Sequence, residues 1–575
     1  MTKHRLLVSS RPGHRDGLAR IGDGSIGGKA RGLGFLNVLL RRTELVRMFP
    51  RFRVEIPPAT VVCTREFDRF VERNELVKCI DWTDDAEITR AFCAIPLRRE
   101  LVMSLVLYLA KHRIPLAVRS SSIHEDGSVS PLAGLYQTVL LPNNGPEEAD
   151  RLQQLIDAIR VVWSSTYHQA PKGALRRQGM LLSQERMAVI IQPMAGRRHR
   201  GYFYPTIGGV AGSVNYFPIG SLRPEDGMVA AAVGLGTRAV GGGQVTRFAP
   251  HRPSLRPELY RPEEVRLNSQ RSFDAIDMAS GRLRLADDPR ATIASIPLEV
   301  AREDGGMSLL ESTWLPAERT ISESPLAKGI PLLTFQGLLQ NTRLAQLLCH
   351  VMERAEEGMG GAVEIEFAGD ISRSPNRSRH VVDFVQLRRL PQTWHSGSVR
   401  LSEVAAERVL VRSSSAMGSA DLVHSGPIVY IPPTALTPSV SRAFGDEVAR
   451  INRVLRDREQ SYLLIGPGRW GSINLSLGIA VTYHQISEAR LIVELSTHEH
   501  RVASSQGSHF FHNIAAGHIL YMGLDEEQGG VLNREWFEHA RRIGGHAGVR
   551  LLQPKTPVRI QVNGRSRSGL VFVEV

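Results

Sequence analysis

Apolar residues fall at helical spacing in IGDGSIGGKARGLGFLNVLLRR, where Leu33, Leu36, Leu39 and Leu40 share one face, predicting a helix opened by Gly27 and Gly28. Residues 1–20 are basic and contain Gly and Pro, as expected of a flexible lead-in. VEIPPATVV, within residues 51–62, predicts the start of a strand, and helical segments are expected from there to about residue 112. Leu116 to Val118 is a short apolar strand, and Gly134 leads into a second β-branched run. Residues 147–170 predict a helix containing Trp163 and Tyr167. MAVIIQPMA (187–195) is apolar throughout, as expected of a strand buried on both faces.

Residues 201–248 are glycine-rich and β-like, ending in AAVGLGTRAVGGGQVTRF. Such glycines suit hairpin turns or a close approach of backbone to a ligand. The Pro/Arg-rich residues 249–263 are expected to form an exposed crossing between strands, and residues 329–358 to carry a helix with an apolar stripe. In VEIEF, Val363, Ile365 and Phe367 share one strand face and Glu364 and Glu366 the other. The same alternation in VQLRR brings Gln386 and Arg388 together, and the two strands can pair as a hairpin. Two carboxylates roughly 6–7 Å apart along a strand can hold Mg²⁺ while phosphates complete its shell. Burying them opposite an amide and an arginine is costly without a ligand. The competing reading is a solvated strand face.

The 575 residues exceed what one core organises, so two to four domains are expected. At 42% hydrophobic and 22% charged the composition is that of a soluble globular protein. The net charge of +13 comes almost entirely from scattered arginines, which suits handling of polyphosphates, and nucleic acid is not an expected partner. Cys63, Cys79, Cys93 and Cys349 form no CxxC pair and are expected to be buried thiols. The N-terminus lacks the apolar core of a signal peptide and no stretch reaches the length of a membrane span, so a cytoplasmic location is expected.

The candidate chemistry centres on LAVRSSSIHEDGSVSPLAGLYQTVL (116–140). Arg119 ends a strand and precedes Ser120, Ser121 and Ser122, so a planar fork of donors adjoins small hydroxyls, a combination suited to a phosphate chain. The acidic pair Glu125 and Asp126 follows. Lys29 stands at the mouth of the first helix, where backbone N–H groups make a natural anion site. A solvated lysine on a capped helix is the alternative.

Taken in order, GGKARGLGFL, AVRSSSIHEDGSVSPLAGLYQTVL, MAVIIQPM, GLGTRAVGGGQVTRF, VEIEF and VQLRR resemble the ATP-binding domain shared by phosphoenolpyruvate synthase, pyruvate phosphate dikinase and related dikinases, over about residues 20–392. The resemblance implies an α/β (α+β) protein with an ATP-grasp-like domain, and ATP and Mg²⁺ as cofactors. It implies that Lys29 and Arg119 contact ATP phosphates, that Glu366 with Glu364 holds Mg²⁺, and that Gln386 and Arg388 lie beside them. Gly28, Ser120 and Gln192 join them as nucleotide-binding candidates. The family usually has aspartate at the position of Glu364 and alanine at that of Ser122. It also passes a phosphoryl group through a histidine in a TSHAA-like motif and carries a pyruvate-binding barrel. No such motif occurs here, and the stretch after residue 395 is shorter than the about 250 residues such a barrel needs. The full dikinase reaction is therefore not expected. The expected layout is a lead-in (1–20), an ATP-binding region (21–395, subdomains about 21–200 and 201–395) and a smaller α/β domain (396–575).

In that last region, SYLLIGPGRWGS holds a formal GxGxxG (Gly466, Gly468, Gly471), but the strand-like LGIAVTY follows where a dinucleotide site needs a helix. A tight functional loop presenting Arg469 and Trp470 is the alternative that stays open. SSQGSHFFHNIAAGH contains Ser505, Gln506, Ser508, His509, His512 and His518, and its Gly-Ser-His turn resembles a phosphohistidine motif. Neutral imidazole is nucleophilic near pH 7, which makes His509 a candidate phosphoryl acceptor; a histidine satisfied in a packed turn is the alternative. VRSSS recurs at 411–415 without the acidic pair, and the repeat is read as coincidence. The leading expectation is a Mg-ATP-dependent phosphotransferase acting on an unknown acceptor. The alternative is a non-catalytic ATP-binding module that regulates a partner protein.

Overall fold

The structure, a computed structural model, describes the chain except residues 1–15, 43, 126–133, 217, 219–220, 256–261, 263–264, 267–268, 280–284, 325–327, 372–378, 391–398, 435, 473–474, 476, 497–507 and 575. Asp126, Ser505, Gln506 and most of the lead-in thus lie outside the described residues, as do the side chains of Arg42, Ser508, His509 and Ala516. The chain divides into two compact units, one of Met1–Ala239 and Gln244–Leu390, the other of Val240–Gly243 and Pro391–Val575.

The elements that build the first unit's site are, in chain order, helix α1 (Gly27–Arg42), strand β1 (Phe52–Glu55), strand β2 (Leu116–Ser122), helix α2 (Glu148–Ser164) and strand β3 (Met187–Pro193). Strands β4 (Ile207–Gly212) and β5 (Met228–Val233), helix α3 (Leu344–Met359), and strands β6 (Val363–Asp370) and β7 (His380–Arg389) follow.

A five-stranded sheet has the order Ala19–Ile21, Thr60–Val62, β3, β2, Thr138–Leu141. Every residue of β3 is buried, as its unbroken apolar run predicts. Its alternate residues serve two cores: Ala188 and Ile190 pack with Ala30 and Leu33 of α1, while Met187, Val189 and Ile191 pack with Ile159 and Trp163 of α2. The sheet is therefore held between helices, and β2 is fixed antiparallel to β3 with Arg119 opposite Ile190.

A six-stranded sheet runs Thr246–Phe248, β5, β4, β6, β7, β1. Val363, Ile365 and Phe367 enter one core with Leu348, Val351 and Met352 of α3, each such side chain contributing about 1.5–3 kcal/mol of burial. The glycines of β4 make room for this packing, since a Cβ on Gly209 would sit 2.7 Å from the Phe367 ring. The helix expected within 329–358, over LLQNTRLAQLLCHVMERAEE, is broken. Ile330–Leu333 is a strand, Gln336–Asn341 a short helix, and α3 begins only at Leu344. Thr342 and Arg343 make the corner, with the Thr342 hydroxyl accepting from the Leu344 N–H at 3.3 Å.

In the second unit, helix α4 (Pro438–Asp457), strand β8 (Tyr462–Pro467), strand β9 (Ala489–Ser496), helix α5 (Ser508–Ala516) and strand β10 (Leu520–Asp525) belong to an α/β layer. Ile428–Tyr430, β8, β9 and β10 run parallel at the middle of a seven-stranded sheet. Arg469 and Trp470 are not presented to solvent. Both are buried, with the Trp470 indole donating to the Val493 carbonyl at 3.3 Å and its backbone N–H to the Glu494 carboxylate at 2.8 Å. The Gly-Ser-His segment is not a turn at His509, whose backbone lies in the first turn of α5, and His512 is buried. Arg412 and Ser413 end the strand Val409–Ser413. No helix among the described residues is long and apolar enough to cross a membrane.

Candidate functional site

Helix α1 begins at Gly27 because the chain there must lie against the end of β2. A Cβ on Gly27 would fall 1.8 Å from the Ser121 carbonyl oxygen, and one on Gly28 1.5 Å from that of Glu125. Gly27 also has φ +77°, a left-handed conformation that favours glycine. Two first-turn N–H groups are taken by hydroxyls, Gly27 donating to Ser25 Oγ at 3.1 Å and Ala30 to Ser121 Oγ at 3.1 Å. The glycine pair is thus required by packing, a reason that its reading as an anion site does not include.

This approach brings Lys29 onto β2. Its Nζ donates to Ser120 Oγ at 3.0 Å and to Glu125 Oε1 at 2.5 Å, in an ion pair whose carboxylate is fully buried. Glu125 also accepts from Ser120 Oγ at 3.2 Å and from the Ser122 N–H at 3.3 Å. Beyond it, the Tyr136 hydroxyl donates to Glu185 at 3.1 Å, and burial pushes the Glu185 carboxyl above its usual range. A buried acid within a few residues of the serines was legible as a pattern, but its partnership with Lys29 was not.

The second half of the site is the polar face of β6 and β7, which pair antiparallel with Glu364 opposite Arg388 and Glu366 opposite Gln386. Arg388 donates to Glu364 within the face. Arg119 reaches across from β2, donating to Gln386, to Glu366 Oε2 at 3.3 Å and to the Val385 carbonyl at 2.7 Å. That carbonyl is turned out by a bulge at Glu366/Phe367, where Phe367 pairs with Phe384 and Val385 is left over. The expected cost of burying the two carboxylates is therefore offset within the protein by two arginines. Burial, and next the Glu364 carboxylate, push the Tyr216 phenol up, marking Tyr216 as a neighbour that no motif announced.

Past the bulge the face turns acidic. Asp383 lies beside Glu55 of β1. Burial, the charges of Glu55 and Asp370, and only partial relief from Arg53 push its carboxyl up to about 6.

The structure thus brings together Lys29 with Ser120, and Arg119 with Glu364, Glu366, Gln386 and Arg388. Gln192 stands apart, buried on β3 with its amide donating to the Pro57 carbonyl at 2.8 Å. His509 belongs to the second unit. Among the described residues no group of three or more His, Cys, Asp or Glu forms a metal cage. Two carboxylates beside two arginines still have the oxygen chemistry of Mg²⁺, an ion that keeps waters and takes one or two carboxylates plus substrate phosphates. All four cysteines are free thiols, and Cys63, Cys79 and Cys349 are buried.

Residues 23–409 match the family model described as pyruvate phosphate dikinase, AMP/ATP-binding domain. No curated protein matches the chain.

Proposed function

Because the chain belongs to the family defined by the pyruvate phosphate dikinase AMP/ATP-binding domain, we propose that it is a Mg²⁺- and ATP-dependent phosphotransferase built on that domain. The observation that supports this reading best is the convergence of Arg119 with Glu364, Glu366, Gln386 and Arg388, side chains that come from two different sheets. Phosphoryl transfer asks little covalent chemistry of a protein and much positioning of charge. Lys29, Arg119 and Arg388 would bind phosphate oxygens, with Ser120 orienting Lys29, and Gln386 orienting Arg119. Glu364 and Glu366 would hold Mg²⁺, which when bound neutralises phosphate charge. For a nucleotide to enter, Arg119 must exchange its carboxylate partner for phosphate oxygens, while Lys29, which spends two of its three N–H donors on Ser120 and Glu125, can offer the third without leaving Glu125.

The phosphoryl acceptor in this reading is His509, a small molecule, or a residue of a partner protein. Incubation with Mg²⁺ and ATP labelled separately at the β and γ positions tests it. Release of AMP or ADP with transfer of label is the expected result, and binding without turnover would overturn it. A phosphorylated imidazole is acid-labile, so acid-labile label abolished by His509→Ala with ATP binding intact would identify that residue as the acceptor. A second reading, a nucleotide-responsive regulatory module, is favoured by the internal pairing of every candidate phosphate-binding cation. Exchange of the Arg119–Glu366 pair on nucleotide binding would itself be a conformational signal.

A further inference from the structure

At the start of β7, eight residues from Arg388 and so about 25 Å along the strand, lies a cavity of about 200 Å³. Its walls include Phe49, Arg51 and Phe52 before and within β1, Arg343 at the corner preceding α3, and His380. Among the described residues no aspartate or glutamate lines it. The Arg343 guanidinium is held in place, 4.8 Å over the Phe49 ring and donating to the Met48 carbonyl at 3.0 Å. The His380 imidazole lies against Phe52 with ring centroids 5.3 Å apart. Burial and then the charge of Arg51 keep that imidazole more readily neutral than usual, so Arg51 acts on the same space. Neither Arg51 nor Arg343 has a carboxylate partner among the described residues.

Two guanidinium groups and an imidazole around aromatic rings, with no acid to balance them, make a positive pocket with planar walls. A ligand that fits must bring negative charge for the guanidinium forks and a flat body for the planar guanidinium and imidazole groups that cover the buried Phe49 and Phe52 rings. The volume is below the about 300–1,000 Å³ of pockets that take drug-sized molecules. We propose that this cavity is a second ligand site, separate from the nucleotide site, which binds a small planar anion, a carboxylate or phosphate on a compact flat body, through Arg51 and Arg343.

The test uses the full chain labelled with ¹³Cε1-histidine, the His380 resonance being identified by its loss in His380→Gln. Benzoate and phenyl phosphate are the probes for the two anionic groups, inorganic phosphate is the probe without a body, and benzyl alcohol is the uncharged body. Benzoate, phenyl phosphate or both should shift the His380 resonance saturably at millimolar concentration and raise its pKa by about one unit. Whichever binds more tightly identifies the anionic group. Arg51→Gln, at an exposed position, should weaken binding about tenfold, and Arg51→Gln with Arg343→Gln should abolish it while Mg-ATP binding persists. The proposal is overturned if neither anion shifts His380, if benzyl alcohol binds as well as benzoate, if inorganic phosphate binds as well as phenyl phosphate, or if Arg51→Gln binds the probes as the parent does.

Discussion

Lys29 and Arg119 both pair with a carboxylate, yet the two pairs sit in different surroundings. The Lys29–Glu125 pair is closed off, with 9% and 0% of its side chains exposed, and is tied into β2 by Ser120 and Ser122. The Arg119–Glu366 pair keeps 12% and 17% exposed and is longer, at 3.3 Å. A fully buried carboxylate cannot lose its partner without being stranded, whereas Glu366, with part of its side chain open to water and Arg119 holding other acceptors, can be released at lower cost. The first therefore fixes the architecture as well as offering charge. The second can trade partners, as the proposed nucleotide site requires.

Lys29→Met breaks this comparison at its stronger end. Removing one member of a buried ion pair costs about 3–5 kcal/mol, because Glu125 keeps its buried carboxylate without the lysine's charge. Urea unfolding should show that loss, and adding Glu125→Gln should recover most of it. Nucleotide binding should stay lost in both variants, as neither restores the cation. A single variant as stable as the parent would mean that the pair contributes no stability.

Asp383 offers a carboxylate of the same sheet face with too little compensating charge. Its carboxyl holds a proton up to about pH 6 in the folded chain, against the ordinary 3.8. The folded state thus binds the proton more tightly than the unfolded one, and this group's contribution to stability falls as pH rises from about 4 to 6, then levels off. Asp383→Asn should stabilise the protein by about 2–3 kcal/mol at pH 8, with the gain shrinking as pH falls from 6 toward 4. Thermal or urea unfolding of both proteins across that window measures it. A gain that does not change with pH would point to packing instead.

The approach of α1 to β2 can be probed without touching charge. Gly28→Ala puts a Cβ against the Glu125 carbonyl oxygen and should cost about 1–3 kcal/mol through forced displacement. Gly173→Ala, in the helix Gln169–Arg177 with nothing within 4 Å of the new atom, should instead stabilise by about 0.4–1 kcal/mol. Equal effects in unfolding curves would remove close packing as the reason for glycine at position 28.

The faces of β6 and β7 were readable because strand alternation has a period of two and the sequence obeys it from Val363 to Glu366 and from Gln386 to Arg388. The bulge was not readable, since one extra residue at Val385 leaves no mark in an apolar stretch, and yet it supplies a carbonyl to Arg119. The partnership of Lys29 with Glu125 joins residues 96 positions apart and depends on two glycines whose reason is a backbone contact. Local pattern misled at 329–358, where helical spacing continues across a real corner at Thr342 and Arg343. It misled again at Ser508 and His509, residue types suited to a turn that open a helix instead.

Glu366→Gln is the smallest change in stability and the sharpest test of the comparison. The amide keeps the shape and can still accept a hydrogen bond from Arg119, which also keeps Gln386 and the Val385 carbonyl, so unfolding should shift by only about 1 kcal/mol. Its effect on ligands should be far larger. A site that loses one of two carboxylates for Mg²⁺ gives up a charged contact of about 1.5–3 kcal/mol, a ten- to hundredfold loss, seen as a higher Mg²⁺ requirement for nucleotide binding. Glu125→Gln should behave the opposite way, lowering stability more and leaving the Mg²⁺ requirement unchanged, because its carboxylate serves Lys29. Calorimetric titrations of ATP at several Mg²⁺ concentrations distinguish the two. If both variants shift the Mg²⁺ requirement alike, the division between a fixed pair and an exchangeable one fails.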